Sequence, residues 1–379
     1  MKFNTQVIHG GNQIDPRTGA VNMPIYQTTT YKQTVLGGGA EWEYTRSENP
    51  TRAALEQLMA ELEHGTAGFA FASGMSAIHS VMSTLSAGDH VLLGDDVYGG
   101  TFRLVNTILS RLGVEFDQVN MTDLTAVSAT LKPNTKMIFL ETPTNPLLKL
   151  ADIQALADIA HNHGAKLGID NTFATPYNQN PLDLGADFVA HSGTKYLGGH
   201  SDVLSGFVIV KDADLKTQIK HLQMSVGSVL GPSDSYLVLR SLKTFALRMK
   251  AHNDNASALF KWLEKQDKVA KIYYPGDENA AQFSIAKKQM RGFSGMISIE
   301  LQPGLDIKKF VENLQIFALA ESLGGVESLL DVPAVMTHAS IPADVRHAHG
   351  IADELIRLSV GIEDIEDLIA DLEQAFALI

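Results

Sequence analysis

Apolar positions along the chain change from one spacing to another, and these changes predict most of its helices and strands. Residues 51–63 carry apolar side chains at helical spacing, and residues 76–86 predict a second helix. Short apolar runs typical of buried strands follow at residues 91–93, 137–140, 167–169 and 188–190, with a helical stripe over residues 153–160. Buried strands separated by helices indicate a mostly parallel sheet that is covered on both faces.

The last third of the chain has a different pattern. A helical stretch covers residues 233–265, and a striped helix covers residues 363–377. Between them, alternating apolar residues predict two strands with one covered face, at Ile297, Ile299 and Leu301 and at Ile356, Leu358 and Val360. We therefore expect a large α/β domain over residues 49–242 and a small α+β domain over residues 243–379. Residues 1–48 show little periodicity and predict an extended arm that contacts a neighbouring subunit.

The composition excludes several classes of function. The 379 residues include no cysteine, which excludes disulfides, thiolate nucleophiles and cysteine-ligated zinc and favours a reducing compartment. The formal charge of −13 argues against nucleic acid as a partner, because phosphate contacts need clustered Lys and Arg. The first residues lack the apolar core of a secretion signal, and no apolar run approaches the ~20 residues of a membrane helix. We expect a cytoplasmic protein with no membrane partner.

Polar residues directly follow several predicted strands, and in such sheets ligands bind beyond the carboxyl ends of the strands. One of these segments, residues 191–200, contains Lys195 among small and hydroxyl-bearing residues. Asp170 follows another strand, and Ser73 precedes a helix start whose free N–H groups can bind a phosphate. A lysine, an acidic partner for a ring nitrogen and a phosphate site are the groups that pyridoxal 5′-phosphate requires. Tyr98 could stack on its ring.

Each of these residues also has an ordinary structural explanation. A lysine such as Lys195 is by default a solvated surface residue, Asp170 could pair with an arginine, and Ser73 could simply cap a helix. The chain contains no GxxxxGK[ST] loop, no GxGxxG after a strand, no HExxH and no GxSxG. The histidines at positions 161 and 163, and at 347 and 349, point to different helix faces, so we expect no metal site.

Ordered motifs over essentially the whole chain resemble those of the Cys/Met-metabolism family of pyridoxal-phosphate enzymes. The matching segments are EYTRSENPTR (43–52), SGM (73–75), YGGT (98–101), ETPTNP (141–146), DNT (170–172), SGTKY (192–196), SLGGVES (322–328) and RLSVG (357–361). The resemblance implies fold type I, the aspartate-aminotransferase-like fold of PLP-dependent transferases, with a mostly parallel seven-stranded sheet and a smaller C-terminal α+β domain. It also implies a homotetramer of two dimers, with active sites shared between subunits.

The resemblance further implies a role for particular residues. Lys195 would bind the cofactor as a Schiff base and act in catalysis together with Tyr98, which stacks on the ring. The remaining cofactor-binding residues would be Asp170 at the ring nitrogen, Gly74, Met75, Thr172, Ser192 and Thr194, and, from a neighbouring subunit, Tyr44 and Arg46. Arg357 would bind the substrate carboxylate, and the other substrate contacts would be Asn145, Ser328, Glu327, Arg103 and Glu43.

Within this family, three features favour cleavage of cystathionine at its γ carbon. Position 100 is glycine, where methionine γ-lyases carry a reactive cysteine. Arg103 matches an arginine of cystathionine γ-lyases and γ-synthases, and Glu43 and Glu327 resemble acidic residues that γ-lyases use. The resemblance thus implies α,γ-elimination of L-cystathionine to cysteine, 2-oxobutanoate and ammonia, with β-elimination as a side activity. Cystathionine γ-synthase activity on O-acylhomoserine and cysteine, cystathionine β-lyase activity and, more remotely, a non-catalytic cofactor-binding role stay open.

Overall fold

The computed structural model describes residues 1–11, 14–339 and 343–379. The helices in chain order are α1 (Phe3–His9), α2 (Pro50–Leu62), α3 (Gly74–Met82), α4 (Gly99–Leu104), α5 (Leu124–Thr130), α6 (Ile153–His163), α7 (Thr175–Asn178), α8 (Ala213–Val226), α9 (Pro232–Leu242), α10 (Phe245–Leu263), α11 (Phe283–Gln289), α12 (Ile307–Glu312), α13 (Ala343–Ala348) and α14 (Ile365–Phe376). The strands are β1 (Ala67–Phe71), β2 (His90–Gly94), β3 (Glu115–Val119), β4 (Thr135–Glu141), β5 (Lys166–Asp170), β6 (Phe188–Ser192), β7 (Gly206–Val210), β8 (Val269–Tyr273), β9 (Met296–Leu301), β10 (Ala318–Leu319), β11 (Leu329–Asp331) and β12 (Leu355–Ser359).

Seven strands form the larger sheet, in the order β1-β7-β6-β5-β4-β2-β3. Neighbouring strands are parallel except where β7 pairs with β1 and with β6, so the predicted mostly parallel seven-stranded sheet is confirmed. The four apolar runs lie in β2, β4, β5 and β6. The edge strand β3 has a polar sequence, EFDQV, with no residue fully buried, and its pattern alone does not identify it as a strand.

Helix α2 begins one residue before the predicted start because Asn49 caps it. The Asn49 side chain accepts hydrogen bonds from the backbone N–H groups of Thr51 and Arg52, and Pro50 occupies the first helical position. The predicted helical stretch over residues 233–265 is two helices, α9 and α10, which are separated at Thr244. There the Thr244 hydroxyl donates to the Ser241 carbonyl, 3.1 Å away, in competition with helical backbone pairing.

Five strands form the smaller sheet, in the order β10-β11-β12-β9-β8. The expectation that β9 and β12 each have one covered face is wrong, because all five residues of β12 and all residues of β9 except Glu300 are buried. Ile356 and Leu358 belong to the hydrophobic core of this region, which helix α14 also covers. The opposite face of the sheet packs against the loop after β4, where Arg357 meets Asn145 and the Ser298 hydroxyl donates to the Pro146 carbonyl at 2.7 Å. Polar contacts therefore connect the smaller sheet to the larger one.

The first 48 residues are mostly irregular. Helix α1 lies on the chain's own core, where the Phe3 ring is 5.4 Å from that of Tyr177. Several large apolar side chains of this segment are exposed to solvent, with Val21 74% and Val35 61% accessible. Contact of this arm with a neighbouring subunit stays a prediction. In the part of the chain that the structure describes, no helix combines the length and apolar character that crossing a membrane requires.

Candidate active site

A cavity of about 230 Å³ opens at the carboxyl ends of β4, β5 and β6 and is closed on one side by the smaller sheet. The structure brings together here ten of the residues that the sequence singled out: Gly74, Met75, Tyr98, Asn145, Asp170, Thr172, Ser192, Thr194, Lys195 and Arg357. Ligand binding beyond the carboxyl ends of parallel strands is the arrangement expected for this architecture.

Lys195 follows β6 in a turn of small residues, and its amine faces the cavity. Its Nζ donates to the Ser322 hydroxyl at 2.8 Å. Burial, with the added positive charge of Arg357, lowers the pKa of the Lys195 amine to about 8. An amine with this pKa loses its proton far more readily than a surface lysine and can act as a nucleophile or a base. Ser322 has a φ of 84°, a left-handed conformation that is uncommon outside glycine and often marks functional loops.

Asp170 ends β5 and is held by Thr172, whose backbone N–H and hydroxyl both donate to Oδ1 at 3.0 and 2.5 Å. Burial raises the pKa of Asp170, while the Thr172 bonds and the nearby His191 and Lys195 lower it in part. Among residues 1–11, 14–339 and 343–379, no cation forms an ion pair with this carboxyl. A buried carboxylate without a cation is unfavourable, so the site fits a ligand that brings a protonated nitrogen.

The start of helix α3 forms the floor of the cavity. Ser73 caps the helix by accepting the Ser76 N–H at 3.1 Å. A Cβ added to Gly74 would lie 2.9 Å from the Cβ of Ser192, so only glycine allows the helix start to approach the end of β6 this closely. The N–H groups of this turn and the hydroxyls of Ser192 and Thr194 surround one corner of the cavity, which is an arrangement that suits a phosphate.

Arg357 reaches the cavity from β12 on the side opposite to the core residues Ile356 and Leu358, as the alternation predicted. Its guanidinium donates to Asn145 Oδ1 at 2.8 Å and to the Ser322 carbonyl at 2.9 Å. A third contact, 3.1 Å from Nη2 to Asp331 Oδ2, was missed by sequence reasoning. Both partners of this ion pair are buried, and Arg357 Nε has no hydrogen-bond partner within the described residues. Three of the five guanidinium N–H donors are engaged in these contacts, so two, one of them on Nε, are left for a ligand carboxylate.

Sequence reasoning also missed Glu321 and Thr337, which line the cavity. Glu321 directly precedes the matched motif at residues 322–328, so its position beside that motif was the available signal. The glutamate singled out within the motif, Glu327, does not line the cavity. Ser328 is fully buried and lies away from the cavity, with its hydroxyl donating to Glu363 Oε2 at 2.9 Å and accepting the Gly361 N–H at 2.8 Å.

Four other singled-out residues lie on the surface, outside the cavity. Tyr44 is 44% exposed, and the Arg46 guanidinium lies 5.6 Å from its ring. Arg46 Nη1 also donates to the Met224 carbonyl at 2.7 Å. Glu43 and Arg103 are exposed as well. None of these four contributes to the cavity of its own chain.

The residues around the cavity fit pyridoxal phosphate. They offer a nucleophilic amine at Lys195, a carboxyl at Asp170 that has no ion pair among the described residues, and a helix start at Gly74 that leaves no room for a side chain. These are the covalent anchor, the ring-nitrogen partner and the phosphate site of that cofactor. A metal centre has no comparable support, since the described ranges contain no group of three or more metal-ligating side chains.

Comparisons with known proteins agree with this cofactor. The family model for Cys/Met metabolism PLP-dependent enzymes matches residues 4–377. The chain is 57% identical over 373 residues to a cystathionine beta-lyase of Lactococcus lactis subsp. cremoris (strain MG1363), with 98% of each chain covered. It is 52% identical over 375 residues to a cystathionine gamma-lyase of Bacillus subtilis (strain 168), with 99% of each covered. The crystal structure of cystathionine gamma-lyase from Lactobacillus plantarum complexed with L-serine superposes with a TM-score of 0.97 at 56% identity, covering 100% of this chain and 99% of that one.

Proposed function

Since the chain belongs to the Cys/Met metabolism family of PLP-dependent enzymes, we propose that it cleaves L-cystathionine by α,γ-elimination, releasing cysteine, 2-oxobutanoate and ammonia. The observation that carries this proposal is one cavity that holds the Lys195 amine, the Arg357 guanidinium and the Glu321 carboxylate. These three groups suit an amino acid with two zwitterionic heads. The amine can move protons, the cation can bind a carboxylate, and the anion can bind the ammonium of the distant head.

We propose that Arg357 binds the α-carboxylate of the substrate and thereby orients the Cα–H bond. Support comes from its unpartnered Nε and from the three groups that fix its guanidinium, Asn145, Ser322 and Asp331. A planar guanidinium held on its other edges keeps a single orientation, which suits bidentate binding of a carboxylate. Asn145 would also contact the cofactor or the substrate, since its amide lines the cavity.

We propose that Lys195 anchors the cofactor and, once displaced by the incoming amino acid, moves protons at two carbons. Pyridoxal phosphate, when bound, supplies an electron-accepting ring for the bond broken at Cα. With a pKa of about 8, Lys195 is about one-tenth neutral at pH 7, so it can remove the Cα proton and then serve again at Cβ. The Ser322 hydroxyl, 2.8 Å from Nζ, would keep the freed amine at the reaction centre.

The other cofactor contacts are proposed from the same geometry. Asp170 would pair with the ring nitrogen, Thr172 would orient that carboxyl, and Tyr98 would stack on the ring and share in catalysis. The phosphate would be bound by Gly74, Met75, Ser192 and Thr194. Tyr44 and Arg46 are exposed and lie outside their own cavity, which supports a role at the phosphate of a neighbouring subunit.

Around the distal head of cystathionine, we propose Glu321 rather than Glu327 as the acidic contact within the chain, because Glu321 lines the cavity. Glu43 and Arg103 would complete that end of the site on assembly, since both are exposed. We propose a cytoplasmic homotetramer of two dimers, in which the arm over residues 1–48 contacts the neighbour, with the domain boundaries expected above. The exposed apolar side chains of the arm support this assembly.

A second candidate is β-elimination of the same substrate, which gives homocysteine, pyruvate and ammonia. The observation in its favour is the 57% identity to a relative named cystathionine beta-lyase. Both reactions begin with removal of the Cα proton, so the residues proposed above serve either one. They differ in whether the leaving sulfur departs from Cβ or Cγ.

Product analysis separates these reactions. Purified enzyme is incubated with L-cystathionine, and the keto acids and thiols are quantified. We expect 2-oxobutanoate and cysteine in excess over pyruvate and homocysteine, and no product with Lys195→Ala as the control. A clear excess of pyruvate would assign the β reaction, and net synthesis of cystathionine from O-acylhomoserine and cysteine, without cleavage, would refute the lyase proposal.

A further inference from the structure

Two carboxyl groups end neighbouring strands on the same side of the cavity. Glu141 is the last residue of β4, Asp170 is the last residue of β5, and the two are direct partners in the parallel register. Adjacent strands lie about 4.8 Å apart, and side chains at partnered positions emerge on the same face. Both carboxyls line the same cavity, so their charges are close and poorly screened.

The stabilising contacts around this pair are distributed unequally. Asp170 accepts two hydrogen bonds from Thr172, and the neighbouring Lys195 and His191 also favour its ionised form. Glu141 forms no ion pair among the described residues, and the hydrogen-bond donor that it has there is the backbone N–H of Tyr98. The structure thus favours the ionised form of Asp170 over that of Glu141.

A further carboxyl near Glu141 acts in the same direction. Asp96, in the loop after β2, adds a second carboxyl, and Lys149 is engaged with Asp96 at 3.2 Å. Asp95 stands next to Asp96 in the chain and adds to the negative charge there. Burial together with the charges of Asp170 and Asp96 raises the pKa of Glu141 well above its usual range.

Glu141 is also the tether of Tyr98. The Tyr98 N–H donates to Glu141 Oε1 just before helix α4 begins. Tyr98 is 47% exposed, and its ring packs so closely on the helix start that a Cβ at Gly100 would lie 2.5 Å from Cε1. Because about half of the ring is exposed, the main-chain bond to Glu141 helps to decide where it lies.

We propose that Glu141 is a positioning residue that works as a neutral carboxylic acid. Its oxygen holds the Tyr98 main chain, and with it the ring, at the cavity, while its lack of charge leaves Asp170 as the carboxylate of the pair. The inference rests on the cofactor roles of Asp170 and Tyr98 proposed above. Glutamine reproduces the shape and the accepting oxygen of a neutral acid, so Glu141→Gln is the conservative variant, and Glu141→Ala removes the tether.

The protonation state is tested directly by infrared spectroscopy of the holoenzyme at neutral pH. The difference spectrum between wild type and Glu141→Gln should contain the C=O stretch of one protonated carboxylic acid, and the spectrum against Glu373→Gln, an exposed residue of α14, should not. If the Gln variant does not fold, Glu141→Asp should displace the band. Absence of a protonated band would overturn the proposal.

The positioning role is tested by cofactor binding and by the visible absorbance of the bound cofactor against pH. Glu141→Gln should keep both the affinity, within about twofold, and the midpoint of the pH titration, whereas Glu141→Ala should weaken binding about fivefold, the usual effect of one hydrogen bond. Equal losses in the two variants, or a shifted midpoint in Glu141→Gln, would contradict the idea. No substrate enters these measurements, so a wrong assignment of the cleaved bond would leave them unchanged.

Discussion

Replacing Lys195 with methionine measures how much the burial of its amine destabilises the folded, cofactor-free protein. Burial lowers the pKa of Lys195 from 10.5 to about 8, and each pKa unit corresponds to about 1.4 kcal/mol, so the protonated amine costs about 3 kcal/mol in the fold. Methionine is of similar length and uncharged, but it loses the hydrogen bond to Ser322, which contributes about 1 kcal/mol. At pH 7, Lys195→Met should therefore be more stable than wild type by about 2 kcal/mol.

The direction in which the stability difference changes with pH follows from the pKa of Lys195 in the folded and in the unfolded chain. Below about pH 8 the lysine is protonated in both the folded and the unfolded chain, so the full penalty of burial is present. Between pH 8 and 10.5 the folded chain releases the proton while the unfolded chain keeps it, and the penalty fades; above 10.5 it is gone. The advantage of Lys195→Met should shrink over this interval.

Urea unfolding of the two cofactor-free proteins, followed at several pH values from 7 upward, provides the measurement. Groups that titrate in both proteins cancel in the difference, which isolates position 195. Lys216→Met, at an exposed lysine of α8, is the control and should leave the midpoint unchanged. An advantage for Lys195→Met that does not change with pH, or a wild type that is more stable at pH 7, would refute the reasoning.

Two further substitutions have matched controls. Gly100→Ala places a Cβ 2.5 Å from Tyr98 Cε1 and 2.7 Å from Met75 Sδ, so the Tyr98 ring must shift. The cofactor dissociation constant should therefore rise about tenfold in a binding titration. Gly99→Ala, whose added Cβ meets nothing within 4 Å, is the control and should bind the cofactor normally. Asp331→Ala leaves the buried Arg357 without the anion of its ion pair and should lower the free energy of unfolding, measured in urea, by about 3 kcal/mol. Asp254→Ala removes one partner of an exposed ion pair and should leave the free energy of unfolding unchanged. Equal urea midpoints for the two variants would contradict a structural role of the buried pair.

The centre of the site could be predicted because it follows from strand order. Lys195, Asp170 and Tyr98 each come shortly after a buried apolar run, and parallel strands bring such positions to one edge. That inference did not require the hydrogen-bonded register between the strands. The motif resemblance then gave each side chain an expected role, and the comparisons confirmed the family, the fold and the cofactor.

The contacts made by the small sheet could not be predicted in the same way. Asp331 meets Arg357 because β11 and β12 pair with these two residues in register, and a three-residue strand has too short a pattern to fix that register. Glu321 lies in a loop where Ser322 and Gly324 both have positive φ, so no periodicity indicates which side chains face inward. Ser328 is hydrogen-bonded to Glu363, which lies 35 residues away in the chain.

The antiparallel partners β1 and β7 are made at different times during synthesis of the chain. Phe71 pairs with Gly206, which is added to the growing chain 135 residues later. At about 5–20 residues per second, β1 is synthesised roughly seven to twenty-seven seconds before its partner. Until then its apolar residues and free backbone groups are an open edge that neighbouring nascent chains can join. Chains that terminate before β7 keep that edge permanently, so incomplete translation products of this protein should aggregate even though β7 covers this edge of β1 in the finished enzyme.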